Sequence, residues 1–285
     1  MEPVIRSFFD ATTATFTHVV HDREGGTAAV IDPVLDFDQA AARTSTASAD
    51  AVLDYVRGLR LRVAWILETH AHADHMTAAA YLKQATGARV AIGRGITRVQ
   101  ERFKALFGLE PDFATDGSQF DRLWDDGDRF AIGELEARVV ATPGHTEDSI
   151  SYLVGNAAFI GDTLFGPGVG TARADFPGAD ARTLYRSIRR LLDLPADTRL
   201  FLCHDYPPAG QDPRPEVPLA EQRERNIHVG GGTDEDAYVA LRTERDARLP
   251  VPRLLLPALQ VNIRAGELPP PDPNGIRYLK LPLNQ

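Results

Sequence analysis

The sequence contains a single cysteine, Cys203, among its 285 residues. This excludes an intrachain disulfide and favours a reducing compartment, so we expect a cytoplasmic protein. No segment approaches the roughly 18 consecutive apolar residues that a membrane helix needs. The first residues carry no basic region followed by a long apolar stretch. We therefore expect no membrane span and no secretory signal.

Basic residues are also scarce. Lysine and arginine number 31 against 40 aspartates and glutamates, which gives a net charge of −9. A general nucleic-acid-binding protein carries a basic surface, so we expect no nucleic-acid partner. The sequence also lacks a glycine-rich phosphate loop and a G-x-S-x-G nucleophile elbow, the motifs of P-loop enzymes and of α/β-hydrolases.

Histidine, in contrast, is concentrated. Three of the eight histidines fall within "HAHADH" at 70–75, directly after an apolar run. Three further apolar runs also lead into residues of the kind that bind metals. The runs and residues are "AWILET" before His70, His72, Asp74 and His75, "ARVVATPG" before His145, "AAFIG" before Asp162, and "RLFLC" before His204.

Imidazole and carboxylate groups are ligands of zinc, iron and manganese. Buried strands hold their ends rigidly, so residues just past several strand ends can converge on one rim of a sheet. The pattern therefore predicts a metal site. His18, His21 and His228 lack such a setting and are interpreted as ordinary polar residues, and Cys203 as a small buried strand residue.

Clusters of strand-like segments alternate with helical ones in two rough halves, which favours mixed α/β layering. We expect one domain over residues 1–285, with residues 211–285 forming a helical and irregular extension packed on it. A helix is predicted within 44–61, with Ser48 or Asp50 as its N-cap. Asp74 and His75 are predicted to stand where the next helix begins, a position that favours a negative charge.

Four motifs resemble those of the metallo-β-lactamase superfamily. They are H-x-H-x-D-H at 70–75, "PGH" at 143–145, "GDTLF" at 161–165 and "CHDY" at 203–206. The resemblance implies an αββα sandwich, in which two mixed β-sheets face each other with helices on the outer faces. It also implies that the metal lies at one edge of the sandwich.

Two branches of this superfamily imply different sites. Glyoxalase II-like enzymes hydrolyse thioesters with two metals. This resemblance implies that one metal is bound by His70, His72 and His145 and the other by Asp74, His75 and His204. Asp162 would bridge the two metals. Persulfide dioxygenases oxidise glutathione persulfide with one iron; the carried-over ligands would be His70, His145 and Asp162. His72, Asp74, His75 and His204 would then lie outside the ligand set.

The stretch "GTARADFPGADARTLYRSI" at 170–188, with its R-x-D-F element, and "QVNIRAG" at 260–266 favour the dioxygenase branch. The resemblance is best to its bacterial β-lactamase hydrolase-like proteins. It implies one Fe(II) per chain, with two zinc ions or a mixed iron–zinc pair as the alternative. The implied reactants are O2 and glutathione persulfide or another low-molecular-weight persulfide.

The same resemblance suggests substrate contacts. Arg173 and Arg264 are candidates to bind the glutathione carboxylates, because guanidinium suits planar carboxylates. Arg173 could equally form a salt bridge with Asp175. Tyr206 is a candidate polar contact, and a homodimer is a further expectation.

One departure from the family pattern is "HTEDSI" at 145–150, where members usually have a proline after the threonine. Glu147 and Asp148 are expected to add negative charge close to His145. Two other functions stay open: a two-metal hydrolase of glutathione thioesters, and a metal-loaded module for regulation or partner binding.

Overall fold

The structure, a computed structural model, describes residues 2–208 and 210–284. Two six-stranded mixed sheets face each other, and a small three-stranded sheet lies beside them. In spatial order, the first sheet contains β1 (Val4–Asp10), β2 (Thr15–His21), β3 (Thr27–Ile31), β6 (Arg62–Leu67), β8 (Arg89–Gly93) and β9 (Arg122–Trp124). The second contains β10 (Arg129–Ile132), β11 (Leu135–Ala141), β12 (Ile150–Val154), β13 (Ala157–Phe159), β14 (Arg199–Phe201) and β15 (Glu216–Pro218). The small sheet contains β5 (Arg43–Ser45), β4 (Val34–Asp38) and β7 (Met76–Thr77).

The central strands are apolar on both faces because each face packs against another layer. In β3, Ala29 and Ile31 belong to the core between the two sheets, whereas Ala28 and Val30 face the helices. Side chains alternate between the two faces of a strand, so a continuous apolar run is what a doubly covered strand requires. β3 pairs with β6 in parallel, as do β13 and β14 in the second sheet.

Helices cover the outer face of each sheet. The helices are α1 (Ala47–Gly58), α2 (Ala79–Thr86), α3 (Ile96–Phe107), α4 (Ala181–Leu192), α5 (Leu219–Arg225), α6 (Glu235–Asp246) and α7 (Leu255–Asn262). The first three and α7 contribute to the core on the first sheet. Helices α4, α5 and α6 contribute to the core on the second sheet. The predicted αββα sandwich is therefore confirmed.

Two local predictions were wrong. Helix α1 starts at Ala47, after Thr46 rather than Ser48 or Asp50, and Thr46 makes no side-chain cap. Asp74 and His75 do not begin a helix: Met76–Thr77 form strand β7, and α2 starts only at Ala79. Strand β7 pairs with β4, and this pairing holds the end of the histidine-rich loop.

The last part of the chain packs α6 beside α4 and α7 beside β7. The single domain over 1–285, with its extension from 211, stays a prediction. Among the described residues, none of the helices has both the length and the apolar character needed to cross a bilayer.

Candidate metal centre

The candidate site lies where five strands end. β3, β6, β11, β13 and β14 are followed within four residues by Asp32, His70, His145, Asp162 and His204 respectively. All five side chains are buried. The convergence predicted from the apolar runs is thus present in the structure.

Two glycines allow the strand-end loops to approach their neighbours closely. A Cβ atom on Gly144 would lie 2.3 Å from the Leu184 Cα, and its φ of 131° disfavours any side chain. A Cβ on Gly161, with a φ of 51°, would lie 2.6 Å from the Thr69 Oγ1. These positions explain the glycine directly before His145 and before Asp162.

One oxygen of Asp162 lies close to both His70 and His145, and these three residues are called the triad below. The Asp162 Oδ2 lies 3.8 Å from the His70 Nε2 and 3.6 Å from the His145 Nε2. Metal–ligand bonds of about 2.0–2.2 Å allow two donors of one ion to stand up to about 4.4 Å apart. The other ring nitrogen of His145 donates to the Arg173 carbonyl at 2.8 Å, which leaves its Nε2 as a lone-pair donor.

The second oxygen of Asp162 faces a second group of possible metal ligands, which contains Asp74, His75 and His204. The His204 Nε2 lies 3.3 Å from the Asp162 Oδ1 and 3.1 Å from the Asp74 Oδ2. The ring of His75 is 6.1 Å from that of His204, centroid to centroid. The Asp162 carboxylate thus contacts both groups of donors, His70 and His145 through Oδ2 and His204 through Oδ1.

His72 lies between His70 and His75 and also contacts the buried acids Asp32 and Glu68. Its ring is 4.0 Å from that of His70 and 4.2 Å from that of His75. Its Nε2 lies 3.1 Å from the Asp32 Oδ1 and 4.0 Å from the Glu68 Oε2. A carboxylate behind a histidine fixes the ring's orientation when the other nitrogen binds a metal.

Several buried donor atoms at this edge have no hydrogen-bond partner. They are Nε2 of His70, His75 and His204, both ring nitrogens of His72, and Oδ1 of Asp162. Buried polar atoms are nearly always paired, so such a group of orphaned imidazole and carboxylate atoms needs a ligand to satisfy it. Two groups, His70 with His72 and Asp162, and His72 with His75, Cys203 and His204, bring their donor atoms within 4.8 Å of one another. Such donors fit a divalent transition metal, which supports metal binding at this edge of the sandwich.

The pKa values of the cluster follow from burial and charge. Burial, with His72 and His145 close by, lowers the pKa of His70 well below its ordinary value; burial likewise lowers that of His72. Both rings are therefore neutral, as metal ligation requires. Burial opposes a charge on His204 too, but the Asp162 and Asp74 carboxylates outweigh it and raise its pKa to about 10. Burial likewise acts against the Asp162 carboxylate, yet His204 and His70 hold its pKa well below the usual range.

Hydrogen bonds with Asp148 and Asn262 hold the backbone of the histidine-rich loop. The Asp148 Oδ2 accepts a hydrogen bond from the Ala71 amide at 2.8 Å. The Asn262 Nδ2 donates to the carbonyls of His72 and His75, both at 2.8 Å. Asp148 therefore supports the loop, while Glu147 pairs with Arg102 at 2.8 Å instead of facing the metal donors.

Helix α6 holds the loop that orients His145. Asp246 accepts a hydrogen bond from the Ala174 amide at 2.9 Å, and Arg242 donates to the Thr171 carbonyl at 3.1 Å. Arg242 and Asp246 form a buried ion pair with each other. The carbonyl of Arg173 lies between these two attachment points, so α6 fixes the group that accepts from His145.

A cavity of about 440 Å³ opens beside the triad. His145, Asp162 and Asp74 form its inner end. Its walls are largely apolar and also include three arginines. The wall residues include Phe165, Val169, Phe176, Leu249, Pro252, Arg173, Arg242 and Arg245. The cavity is large enough for a small organic substrate that reaches the donor cluster.

Two of the three predicted substrate contacts, Tyr206 and Arg173, line the cavity, and the third, Arg264, does not. The guanidinium of Arg173 binds Asp175 through two hydrogen bonds of 2.6 and 2.7 Å, the salt bridge considered from the sequence. Arg264 does not line this cavity; it pairs with Glu110 and lies over Phe113. Its role stays a prediction that this placement does not favour.

Sequence reasoning missed Asp32, Glu68 and Arg245. Asp32 carried the same signal as the ligands, because it directly follows the apolar strand β3. Glu68 stands just before the histidine-rich loop, where burial raises its pKa well above the usual range. Arg245 carried no signal, since its place on the cavity wall depends on how α6 packs.

The model of the metallo-beta-lactamase superfamily matches residues 13–204, and the chain belongs to this superfamily. A beta-lactamase hydrolase-like protein of Agrobacterium fabrum is 55% identical over 99% of this chain and 65% of its own length. The chain therefore spans about two thirds of that relative. A probable metallo-hydrolase of Burkholderia pseudomallei is 52% identical over 98% of this chain and 99% of its own length.

Two further relatives belong to one named group. The human mitochondrial persulfide dioxygenase ETHE1 is 32% identical over 71% of this chain and 68% of its own length. The crystal structure of ETHE1 from Myxococcus xanthus superposes with a TM-score of 0.73 at 31% identity, over 93% of this chain and 100% of that one. The predicted resemblance to the superfamily, to the hydrolase-like proteins and to the persulfide dioxygenases is confirmed.

Proposed function

We propose that this chain is a mononuclear non-heme iron persulfide dioxygenase. It would convert glutathione persulfide, O2 and water to glutathione, sulfite and two protons. The observation that carries the proposal is the convergence of the His70 Nε2 and the His145 Nε2 on the Asp162 Oδ2, at 3.8 and 3.6 Å. Two histidines and one carboxylate on one face are typical of non-heme Fe(II) oxygenases, because they leave positions open for reactants.

Bound Fe(II) would supply the electrons for O2 activation, which redox-inert zinc cannot do. The protein's own residues would bind and orient. His145 is kept in one tautomer by the Arg173 carbonyl, and the apolar side chains of Phe165 and Phe176 line the cavity, where they would limit the access of water. Holding both reactants side by side accounts for much of the rate in such reactions.

Residues around the triad would have a positioning role. Asp74, His75 and His204 lie on the Oδ1 side of Asp162, where they would orient the carboxylate and ordered water. His72 would be orientated by Asp32. Tyr206 lines the cavity and would contact the substrate, whereas Arg173 lines it with its guanidinium bound to Asp175.

Support also comes from the comparisons. The identity to the human persulfide dioxygenase is 32%, and the fold of the Myxococcus xanthus ETHE1 covers nearly the whole chain. A homodimer and a cytoplasmic location stay predictions.

A second candidate is a two-metal hydrolase of glutathione thioesters. The observation that favours it is the orientation of the Asp162 Oδ1 toward His204 and Asp74, as a bridging carboxylate would require. A relative that is 52% identical is named a probable metallo-hydrolase.

Metal analysis and oxygen uptake distinguish the two functions. Protein expressed without added zinc should contain about one iron per chain. Anaerobically purified protein reloaded with Fe(II) should consume O2 when given glutathione persulfide and form sulfite, and it should hydrolyse S-lactoylglutathione poorly. Two zinc ions per chain with rapid thioester hydrolysis and no oxygen uptake would establish the hydrolase instead.

A further inference from the structure

The cavity beside the metal donors has two chemically different ends. Its inner end is formed by His145, Asp162 and Asp74. Its solvent-exposed part includes Arg245 of α6 and Leu249 of the segment after it, both of which are exposed, whereas His145 and Asp162 are buried. Arg245 and Leu249 lie outside the 13–204 segment that the superfamily model matches. Recognition of the non-reacting part of a substrate would therefore depend on the C-terminal part of the chain, outside the segment that the superfamily model matches.

Two of the three arginines on the cavity wall are already neutralised. Arg173 binds Asp175 through both its Nε and its Nη2. Arg242 is buried and forms an ion pair with Asp246 one helical turn further on. Both guanidinium groups also donate to backbone carbonyls, of Pro250 and of Thr171. Neither is available to a ligand without breaking these internal contacts.

Arg245 differs from both. It follows Arg242 by three residues, so the two side chains share one face of α6. Within residues 2–208 and 210–284 its side chain forms no ion pair and donates no hydrogen bond, although it lines the cavity. Its positive charge is close enough to His228 to help lower the pKa of that ring, after burial and Arg242.

We infer that Arg245 binds a carboxylate of the substrate that is remote from the reacting sulfur. The inference rests on the proposed function, in which the substrate is a glutathione derivative. The inner end receives the sulfur, the apolar walls receive the chain between, and the guanidinium receives the carboxylate. Guanidinium binds carboxylates in a planar, two-point arrangement, so this residue would select tripeptide persulfides over small persulfides that lack a distant carboxylate.

Binding of a non-reacting probe tests this without turnover. S-methylglutathione and its diester would be titrated by calorimetry into the metal-loaded protein without oxygen. Arg245→Gln should weaken binding of S-methylglutathione about tenfold, the low end for a charged hydrogen bond, because Arg245 is exposed to solvent. The same substitution should leave binding of the diester unchanged, since the diester has no carboxylate to lose.

Arg248→Gln is the matched control. Arg248 follows α6, is exposed, and pairs with Glu244 at 2.7 Å rather than lining the cavity. This variant should bind S-methylglutathione like the unaltered protein. The inference is overturned if Arg245→Gln binds S-methylglutathione normally, if it weakens the diester equally, or if the unaltered protein binds neither probe.

The result is independent of the reaction. Oxygen uptake and iron content decide the proposed function, whereas the probe measures only binding. If the protein hydrolyses thioesters and Arg245→Gln weakens binding of S-methylglutathione but not of the diester, the role of Arg245 is supported and the dioxygenase function is contradicted. If the protein is a dioxygenase and Arg245→Gln binds both probes normally, only the role of Arg245 is contradicted.

Discussion

The eight histidines fall into two regions that use the ring differently. Five lie at the metal-binding edge. Four of these, His70, His72, His75 and His204, have at least one buried ring nitrogen without a hydrogen-bond partner. The fifth is His145, whose Nε2 lies 3.6 Å from the Asp162 Oδ2. The other three are tied to protein atoms. His18 is bonded at both nitrogens, to the Ser7 Oγ and the Leu202 carbonyl, and His21 to the Arg23 carbonyl and the Tyr55 hydroxyl. His228 accepts from the Thr171 amide.

The difference shows what separates a metal ligand from a structural histidine. Burial alone does not, because His18 is as buried as His70. The distinguishing property is an unsatisfied nitrogen directed at other unsatisfied donors. Since burying an unpaired polar atom costs about 1–3 kcal/mol, four such rings in one place would be costly without a bound metal. The predictions below test the division between these two regions, and within the metal-binding edge between the two sides of Asp162.

The largest effect is expected from the triad. His145→Ala should remove the metal outright and abolish turnover, because it deletes one of three protein donors, and His70→Ala and Asp162→Ala should do the same. Metal content by mass spectrometry measures this. His18→Gln, which alters a buried histidine away from the edge, should keep its full metal content. Retention of iron by His145→Ala would contradict the assignment of the triad.

A smaller effect is expected on the other side of Asp162. His75→Ala should keep most of the iron and slow turnover by about 10–100-fold, as losses of orienting groups do. The reason is that the ring of His75 lies near the rings of His72 and His204, and it is not one of the three triad donors. Iron content and oxygen uptake would be measured on the same preparation. A fall from two metals per chain to one would show that the second group of possible metal ligands binds a metal of its own.

Much of this site could be predicted because the signal was local. Each predicted ligand follows an apolar run, and buried strands of an αββα sandwich bring their ends to one edge. Asp32 shows the limit of that reasoning: it also follows a strand, but a single aspartate before a proline is common in turns. Its contact with the Nε2 of His72 depends on the parallel pairing of β3 and β6, which the sequence does not specify.

The substrate contacts were harder to predict because they depend on which charges neutralise each other. Arg264 was a candidate on a motif alone, and the structure pairs it with Glu110. Arg245 had no motif and is the cavity arginine without an internal partner among the described residues. Helical structure within residues 211–285 was expected, but not that Asp246 of α6 would hold the loop beside His145. Long-range pairing of this kind is tertiary information.

The smallest effect on activity is expected from His18, and it concerns stability below neutral pH. Burial lowers the pKa of His18 to about 4, from 6.5, despite the Leu202 carbonyl and the Asp32 charge, which act in the opposite direction. The neutral ring donates from Nε2 to the Leu202 carbonyl and accepts at Nδ1 from the Ser7 hydroxyl, so protonation of Nδ1 would require that hydroxyl to change from donor to acceptor. The unfolded chain therefore takes up this proton first as the pH falls, and the folded state loses stability between pH 6.5 and about 4.

His18→Gln removes this titration while keeping an amide that can bond to the same neighbours. The free energy of unfolding would be measured by denaturant titration at several pH values from 7 to 4. The unaltered protein should lose up to about 3 kcal/mol more than the variant across this range. Both proteins share every other titrating group, including the metal-binding histidines, so the difference between their slopes isolates His18. Parallel slopes would mean that His18 accepts a proton in the folded state, and the contrast between the two groups of histidines would then be weaker than their hydrogen bonds indicate.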